Sequence, residues 1–181
     1  HIFQYPESKV LILASDIARY GIKTDGEPTQ GAGSVAMLIS KDPRIAIVNK
    51  YSGVHSEDLY DFFRPLHMDY AIVDGHFSNE MYKKFFNESY NSFLLKSNQS
   101  LKDLSAVVFH IPYVKIGLKS LDLISSKEDC PKLYKHYESA TIYNKVIGNI
   151  YTGSIYLSLI SLLENGDLSA NEQIGLYSYG S

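Results

Sequence analysis

Compact apolar runs, each closed by glycine, proline or aspartate, alternate along the chain with longer stretches of helical period. Lys9 to Ala14 has no polar alternation and reads as a strand buried on both faces. Ser15 to Gly31 is dense in Gly, Asp, Pro and Thr and reads as loop. Gly33 to Ser40 (GSVAMLIS) predicts a second buried strand and Arg44 to Lys50 (RIAIVNK) a third, joined by a turn at Lys41-Asp42-Pro43 into a hairpin. Ser56 to Phe77 mixes aromatics, Asp, His and Pro without a period, so an ordered irregular segment with a short helical turn is expected.

From Asn79 to Ser97, Tyr82, Phe85, Phe86, Tyr90, Phe93 and Leu94 fall on one stripe, which predicts a core-facing helix. Ser105 to His110 (SAVVFH) is a buried strand. Helices follow after Pro112 through Ile124, from Pro131 to Tyr143 and from Thr152 to Glu164, the last stopped by Asn165-Gly166. Gln173 to Tyr179 is a final strand. Interleaved strands and helices define an α/β sheet covered by helices. Neither a repeat nor a linker interrupts 1–181.

Composition narrows the function classes. With 181 residues, 45% hydrophobic, 20% charged and a net charge of -3, the chain can bury a core and offers no basic field for nucleic acid. No apolar run approaches the roughly 20 residues that span a bilayer. Cys130 is the sole cysteine, which fits a reducing compartment such as the bacterial cytosol. The amino terminus lacks the pattern of a signal peptide, so the sequons at Asn87 and Asn98 are expected to stay bare. Both ends read as cut, because strands lie directly beside them.

Three segments carry candidate chemistry. ASDIARYG (Ala14 to Gly21) and GEPTQGAG (Gly26 to Gly33) gather glycines near a strand, but without a GK[ST] element or a following helix they do not make a P-loop. A tight loop permitting close backbone approach is the other reading. In FHIPYVKIGLKSL (Phe109 to Leu121), His110 sits at the carboxyl end of a buried strand, the edge where α/β sheets present ligands. It is either a satisfied structural histidine or, with Lys115 nearby, a group suited to an anionic or carbonyl-bearing substrate. In GNIYTGSIYLSLISLLENGD (Gly148 to Asp167), Asn149 is either a helix cap or a site amide.

The order and wording of these segments, with YDFFRP (Tyr60 to Pro65), DYAIVDGHFS (Asp69 to Ser78) and IGLYSYGS (Ile174 to Ser181), resemble the hydroxymethylglutaryl-CoA synthases of the bacterial mevalonate type across nearly the whole chain. Phe63 departs from that pattern, since bacterial relatives usually carry tryptophan there. The resemblance implies part of a thiolase-like fold, the end of the first half and the start of the second half of a layered αβαβα core. Residues 1–181 would then belong to one catalytic domain whose cysteine nucleophile and glutamate base lie upstream. Cys130, in KEDCPKLY, does not match the nucleophile.

By the same resemblance, the complete enzyme condenses acetyl-CoA with acetoacetyl-CoA through an acetyl-cysteine, and this piece alone is expected to be inactive. His110 would polarise the acetoacetyl ketone, Asn149 would hold the same substrate, Asp16 and Asp61 would join the site network, and the Ser181 backbone would help form the oxyanion site. Thr29, Tyr113 and Lys115 would line the CoA channel. The resemblance implies no metal and no cofactor beyond the CoA substrates, no nucleic-acid or membrane partner, a cytoplasmic setting and a homodimer of the complete protein. Two alternatives stand beside it: a polyketide-associated synthase that acts on a carrier-protein-bound ketone, and a non-catalytic acyl-CoA-binding module.

Overall fold

The computed structural model describes every residue except His1, Phe3 and Ser181. Its regular elements are β1 (Val10–Ile17), β2 (Ala32–Ile39), β3 (Phe62–Phe63), β4 (Ile72–Val73), α1 (Gly75–Ser97), β5 (Ala106–Phe109), α2 (Val114–Leu121), α3 (Pro131–Ala140), α4 (Ile142–Ile147), α5 (Gly153–Asn165) and β6 (Ile174–Tyr177). β1 pairs antiparallel with β2, β3 antiparallel with β4, and β5 parallel with β6.

The parallel pair lies at the centre of the core. All four β5 residues are buried, because one face of the strand meets the aromatic residues of α1 and α3 while the other meets α5. Phe109 packs with Tyr82, Phe86, Tyr137 and Tyr177, and Ala106 and Val108 pack with Ile155 and Leu162. The α1 stripe forms as its spacing predicts, with Tyr82 and Phe86 fully buried. Its start is fixed by the Asp74 carboxylate, which accepts from the Phe77 N–H at 3.0 Å, and its end by Asn98 in the left-handed conformation (φ 54°).

Two strand expectations are corrected. Arg44 to Lys50 forms no strand, and Ile45, Ile47 and Val48 are 79%, 84% and 92% exposed. Its apolar residues have no ladder to join, so the hairpin instead links β1 to β2 across residues 18–31, with Val10 opposite Ile39 and Ile17 opposite Ala32. Nor is that ribbon buried on both faces. Val35 packs under α5 with Ile150 and Leu157, whereas Leu11, Leu13 and Leu38 are exposed. A two-stranded ribbon with one covered face cannot hide a continuous apolar run.

The predicted helix from Pro131 to Tyr143 is two helices, broken at Thr141 (φ -101°, ψ 1°). The Ser56 to Phe77 segment contains the β3–β4 pair and the first turn of α1, besides a turn closed by Met68 N–H to Pro65 O at 3.1 Å.

A buried histidine ties α3 to the start of β5 and to the segment after α5. His136, with no exposed surface, places Nδ1 2.7 Å from Ser105 O and Nε2 2.6 Å from Asp167 Oδ1. Both ring nitrogens are thus engaged, one by a backbone carbonyl and one by a carboxylate. Lys135 binds the second Asp167 oxygen at 2.6 Å. Lys135 first, and His136 next, hold the Asp167 carboxyl well below the usual carboxylate range.

Replacing His136 with Leu, which is close to it in volume, removes both bonds, so unfolding by denaturant should show a loss of about 1–3 kcal/mol. The depressed Asp167 carboxyl stabilises the fold above about pH 4, and that contribution fades as pH falls towards its folded value. Asp167→Asn should therefore flatten the acid limb of the stability profile. An unaltered acid limb contradicts the assignment.

Candidate functional site

His110 is the first residue beyond β5. Its N–H donates to Tyr177 O at 2.7 Å, and its carbonyl accepts from the buried Tyr82 hydroxyl at 2.6 Å. The peptide group is thus pinned from both sides, which aims the side chain beyond the carboxyl edge of the strand pair. Burial pushes the imidazole's pKa down to about 4, against a smaller upward pull from the Tyr151 backbone. At neutral pH the ring is neutral, with an N–H on one nitrogen and a lone pair on the other.

Asn149 reaches the same region from the segment between α4 and α5. Its N–H donates to Thr29 O at 2.9 Å, and it forms a parallel bridge with Gln30. The side chain is nearly inaccessible, at 2% exposed. Asn149 Oδ1 accepts from Tyr151 N at 2.9 Å and from Ser154 Oγ at 3.1 Å, and Nδ2 donates to the Tyr20 hydroxyl at 3.0 Å. Thr152, not Asn149, is the N-cap of α5, so the capping reading of Asn149 does not hold. Of the two N–H donors of the amide, one is thereby given a partner.

The glycine-rich loop is explained by this contact. A Cβ on Gly31 would lie 2.5 Å from Ile147 O and 2.6 Å from Asn149 O, and one on Gly148 (φ 83°) would lie 2.3 Å from Gln30 O. Close approach of two backbones is what these glycines permit.

The other predicted residues fall into three situations. Asp16, near the end of β1, accepts from its neighbour Ile17 N–H at 2.8 Å, and its charge bears on the Tyr151 hydroxyl. Asp61 accepts from the Tyr179 hydroxyl at 2.7 Å, and Tyr179 packs on Tyr82 and Phe85. Thr29 is held against Asn149 through its carbonyl, while its hydroxyl donates to Gly26 O at 2.7 Å.

Tyr113 commits its hydroxyl to Asn79 Oδ1 at 2.8 Å and packs on the core. Lys115 is exposed in the first turn of α2. Ser181 lies outside the described residues. Cys130 precedes α3 and packs against the Phe109 cluster.

Sequence reasoning passed over Tyr20, Tyr82, Tyr151 and Tyr179. Burial, followed by the charges of Tyr20 and Asp16 nearby, raises the Tyr151 phenol, and burial followed by the bond to Asp61 raises Tyr179. Phe62 stands between Tyr20 and Tyr151, with ring centroids 6.2 and 6.1 Å away. Tyr20, Tyr151 and Tyr179 lie within the ARYG, GNIYTG and IGLYSYGS motifs, and this was the available signal.

The mixed α/β arrangement around a parallel strand pair, with its superposition on solved hydroxymethylglutaryl-CoA synthases, places the chain in the thiolase-like class. The family model described as hydroxymethylglutaryl-coenzyme A synthase C terminal matches residues 45–129 and 126–181, and the chain belongs to the hydroxymethylglutaryl-CoA synthase family. It is 44% identical over 187 residues to the hydroxymethylglutaryl-CoA synthase of Enterococcus faecalis, covering 100% of this chain and 48% of that protein.

A crystal structure of HMG-CoA synthase complexed with CoA superposes with a TM-score of 0.96 at 42% identity, covering 100% of this chain and 48% of the other. MvaS in complex with 3-hydroxy-3-methylglutaryl coenzyme A superposes at 0.81 with 35% identity, covering 96% and 49%. The chain spans about half the length of the curated relatives it matches. Among the described residues, no helix is long and apolar enough to cross a membrane.

Gly31→Ala should force the 30–31 and 147–149 backbones apart at a cost of about 1–3 kcal/mol, the range for overpacking a close contact. Thermal unfolding and amide exchange at Asn149 check it. Unchanged protection of the Asn149 N–H would show that the approach is not needed.

Proposed function

We propose that these residues are part of one thiolase-like catalytic domain that condenses acetyl-CoA with acetoacetyl-CoA to 3-hydroxy-3-methylglutaryl-CoA. The observation that carries the reading is His110, buried and pinned through its peptide group at the carboxyl edge of the parallel pair. The family membership and the CoA and hydroxymethylglutaryl-CoA complexes of its structural neighbours support the substrate class.

In the proposed reaction, a cysteine outside these residues takes the acetyl group and releases the CoA thiol. A glutamate, also outside, removes a proton from the acetyl methyl group. The enolate carbon bonds to the ketone carbon of acetoacetyl-CoA, the ketone oxygen becomes an alkoxide that gains a proton, and water cleaves the thioester to the cysteine. His110 and the free Asn149 N–H hold the ketone oxygen.

Asp16, Asp61 and the Ser181 backbone complete the network in this reading, and Thr29, Tyr113 and Lys115 line the path of CoA, with the lysine suited to a phosphate. The proposed chemistry moves no electrons to an outside carrier, so the CoA thioesters suffice without a cofactor. The lone cysteine fits a cytoplasmic setting, and the whole protein is proposed to act as a homodimer. Residues 1–181 alone are proposed to be inactive, since Cys130 lies in an unrelated packing position.

In the full-length protein, His110→Ala should reduce condensation by about 10²–10³, the usual cost of losing one aligned donor, while acetylation by labelled acetyl-CoA stays near normal. Equal losses in both half-reactions would remove His110 from the second substrate. Asn149→Asp keeps an acceptor for Tyr151 and Ser154 but loses the amide donors. Turnover should fall sharply with the melting temperature nearly unchanged. The opposite pattern, lowered melting and intact turnover, makes Asn149 purely structural.

A further inference from the structure

Asn149 turns its amide oxygen inwards, onto the first turn of α5. Ser154 Oγ donates to Asn149 Oδ1 at 3.1 Å and accepts from the Ile150 N–H at 2.9 Å. A hydroxyl has a single proton. With the Ile150 N–H occupying a lone pair, that proton goes to the Asn149 oxygen. The same oxygen accepts from Tyr151 N at 2.9 Å. Reversing the amide would set its NH2 against the Tyr151 N–H and take the acceptor away from the Ser154 hydroxyl. Oδ1 is thus fixed inwards, and Nδ2 faces the Tyr20 hydroxyl, 3.0 Å away.

Ser154 has no exposed surface, and its main chain is as firmly held as its hydroxyl. Its N–H donates to Tyr151 O at 2.9 Å. Its carbonyl accepts from Asn144 Nδ2 at 3.2 Å and from Ser158 Oγ at 3.0 Å. Asn144 belongs to α4 and Ser158 lies one turn further along α5, so the first turn of α5 is anchored to α4 on one side and to the Asn149 segment on the other. Tyr151 meets the amide oxygen through its backbone. Among the described residues, Ser154 supplies the side-chain donor to that oxygen.

We propose that Ser154 is a positioning residue of the site, whose hydroxyl fixes which way the Asn149 amide faces, resting on the reading that Asn149 holds the substrate ketone. Being fully buried, Ser154 meets no substrate itself and acts through Asn149. An amide free to turn would spend part of its time with its oxygen towards the ketone oxygen, two acceptors facing each other. Holding Oδ1 inwards keeps the donor end outwards before substrate arrives, and a donor aligned in advance needs no rearrangement during the reaction.

The test uses Ser154→Ala, Asn149→Ala, the double variant and Ser158→Ala in the full-length protein. The first readout is the substrate-free 15N signal of the Asn149 side-chain amide. One sharp NH2 pair is expected in the wild type and in Ser158→Ala, with a shifted or doubled pair in Ser154→Ala. The second readout is kcat. Ser154→Ala should lower it about 10-fold, less than the about 10² of a full misplacement, because the Tyr151 N–H still holds the oxygen.

In the Asn149→Ala background the same substitution should cause no further loss of kcat, since a residue that acts through another has nothing left to position. Ser158→Ala, which touches Asn144 and the Ser154 carbonyl but not Asn149, should keep kcat near the wild type. If Ser154→Ala does not fold, Ser154→Cys, whose thiol is a weak donor and a weak acceptor, gives the same comparison. An undisturbed Asn149 amide signal would overturn the proposal, as would an equal loss in both backgrounds where Asn149→Ala is itself impaired. A disturbed amide signal in Ser154→Ala beside full turnover in Asn149→Ala would sustain the positioning role and remove Asn149 from the substrate instead.

Discussion

The peptide group of His110 is the constraint on which the described structure turns. Its N–H extends the β5–β6 ladder by one bond to Tyr177, and its carbonyl takes the hydroxyl of Tyr82 from α1. The Tyr177 hydroxyl returns to Tyr82 O at 3.1 Å, so a helix and two parallel strands share one closed set of buried bonds. Inside a core such bonds are strong when complete and costly when broken. The residue that carries the site's imidazole is therefore among the most firmly held in the chain.

The other half of the site is assembled by close approach rather than by side-chain packing. Two backbones meet at Gln30 and Asn149 only because Gly31 and Gly148 have no Cβ. Asn149 is then held by Tyr151 N on its oxygen and by the Tyr20 hydroxyl, from the glycine loop, on its nitrogen. Asp61 and Tyr179 form a neighbouring pair that shares Tyr82 as a packing surface. The Asp16 and Asp61 carboxylates lie beside the Tyr151 and Tyr179 phenols and, after burial, help to keep both protonated.

Local chemistry was legible in the sequence where a segment carries its own partner. The α1 stripe, β5 with His110 at its end, and the Asn165-Gly166 stop of α5 needed only period and punctuation. Arg44 to Lys50 was misread because strand formation depends on a ladder partner, which an apolar run does not announce. β1 and β2 were correctly strands but incorrectly fully buried, for a related reason: the run reports hydrophobicity and not what covers it. Tyr20, Tyr82, Tyr151 and Tyr179 were overlooked because a tyrosine is both a core residue and a polar one. Only the fold shows which hydroxyls meet site groups.

Family membership and the geometry of His110 and Asn149 meet in one claim, that the edge of the β5–β6 pair receives a ketone. A crystal structure of the full-length protein with acetoacetyl-CoA tests it most directly. The account predicts the ketone oxygen within about 3 Å, ordinary hydrogen-bond distance, of both a His110 ring nitrogen and Asn149 Nδ2. An acetoacetyl group bound with its ketone oxygen remote from both residues would contradict it.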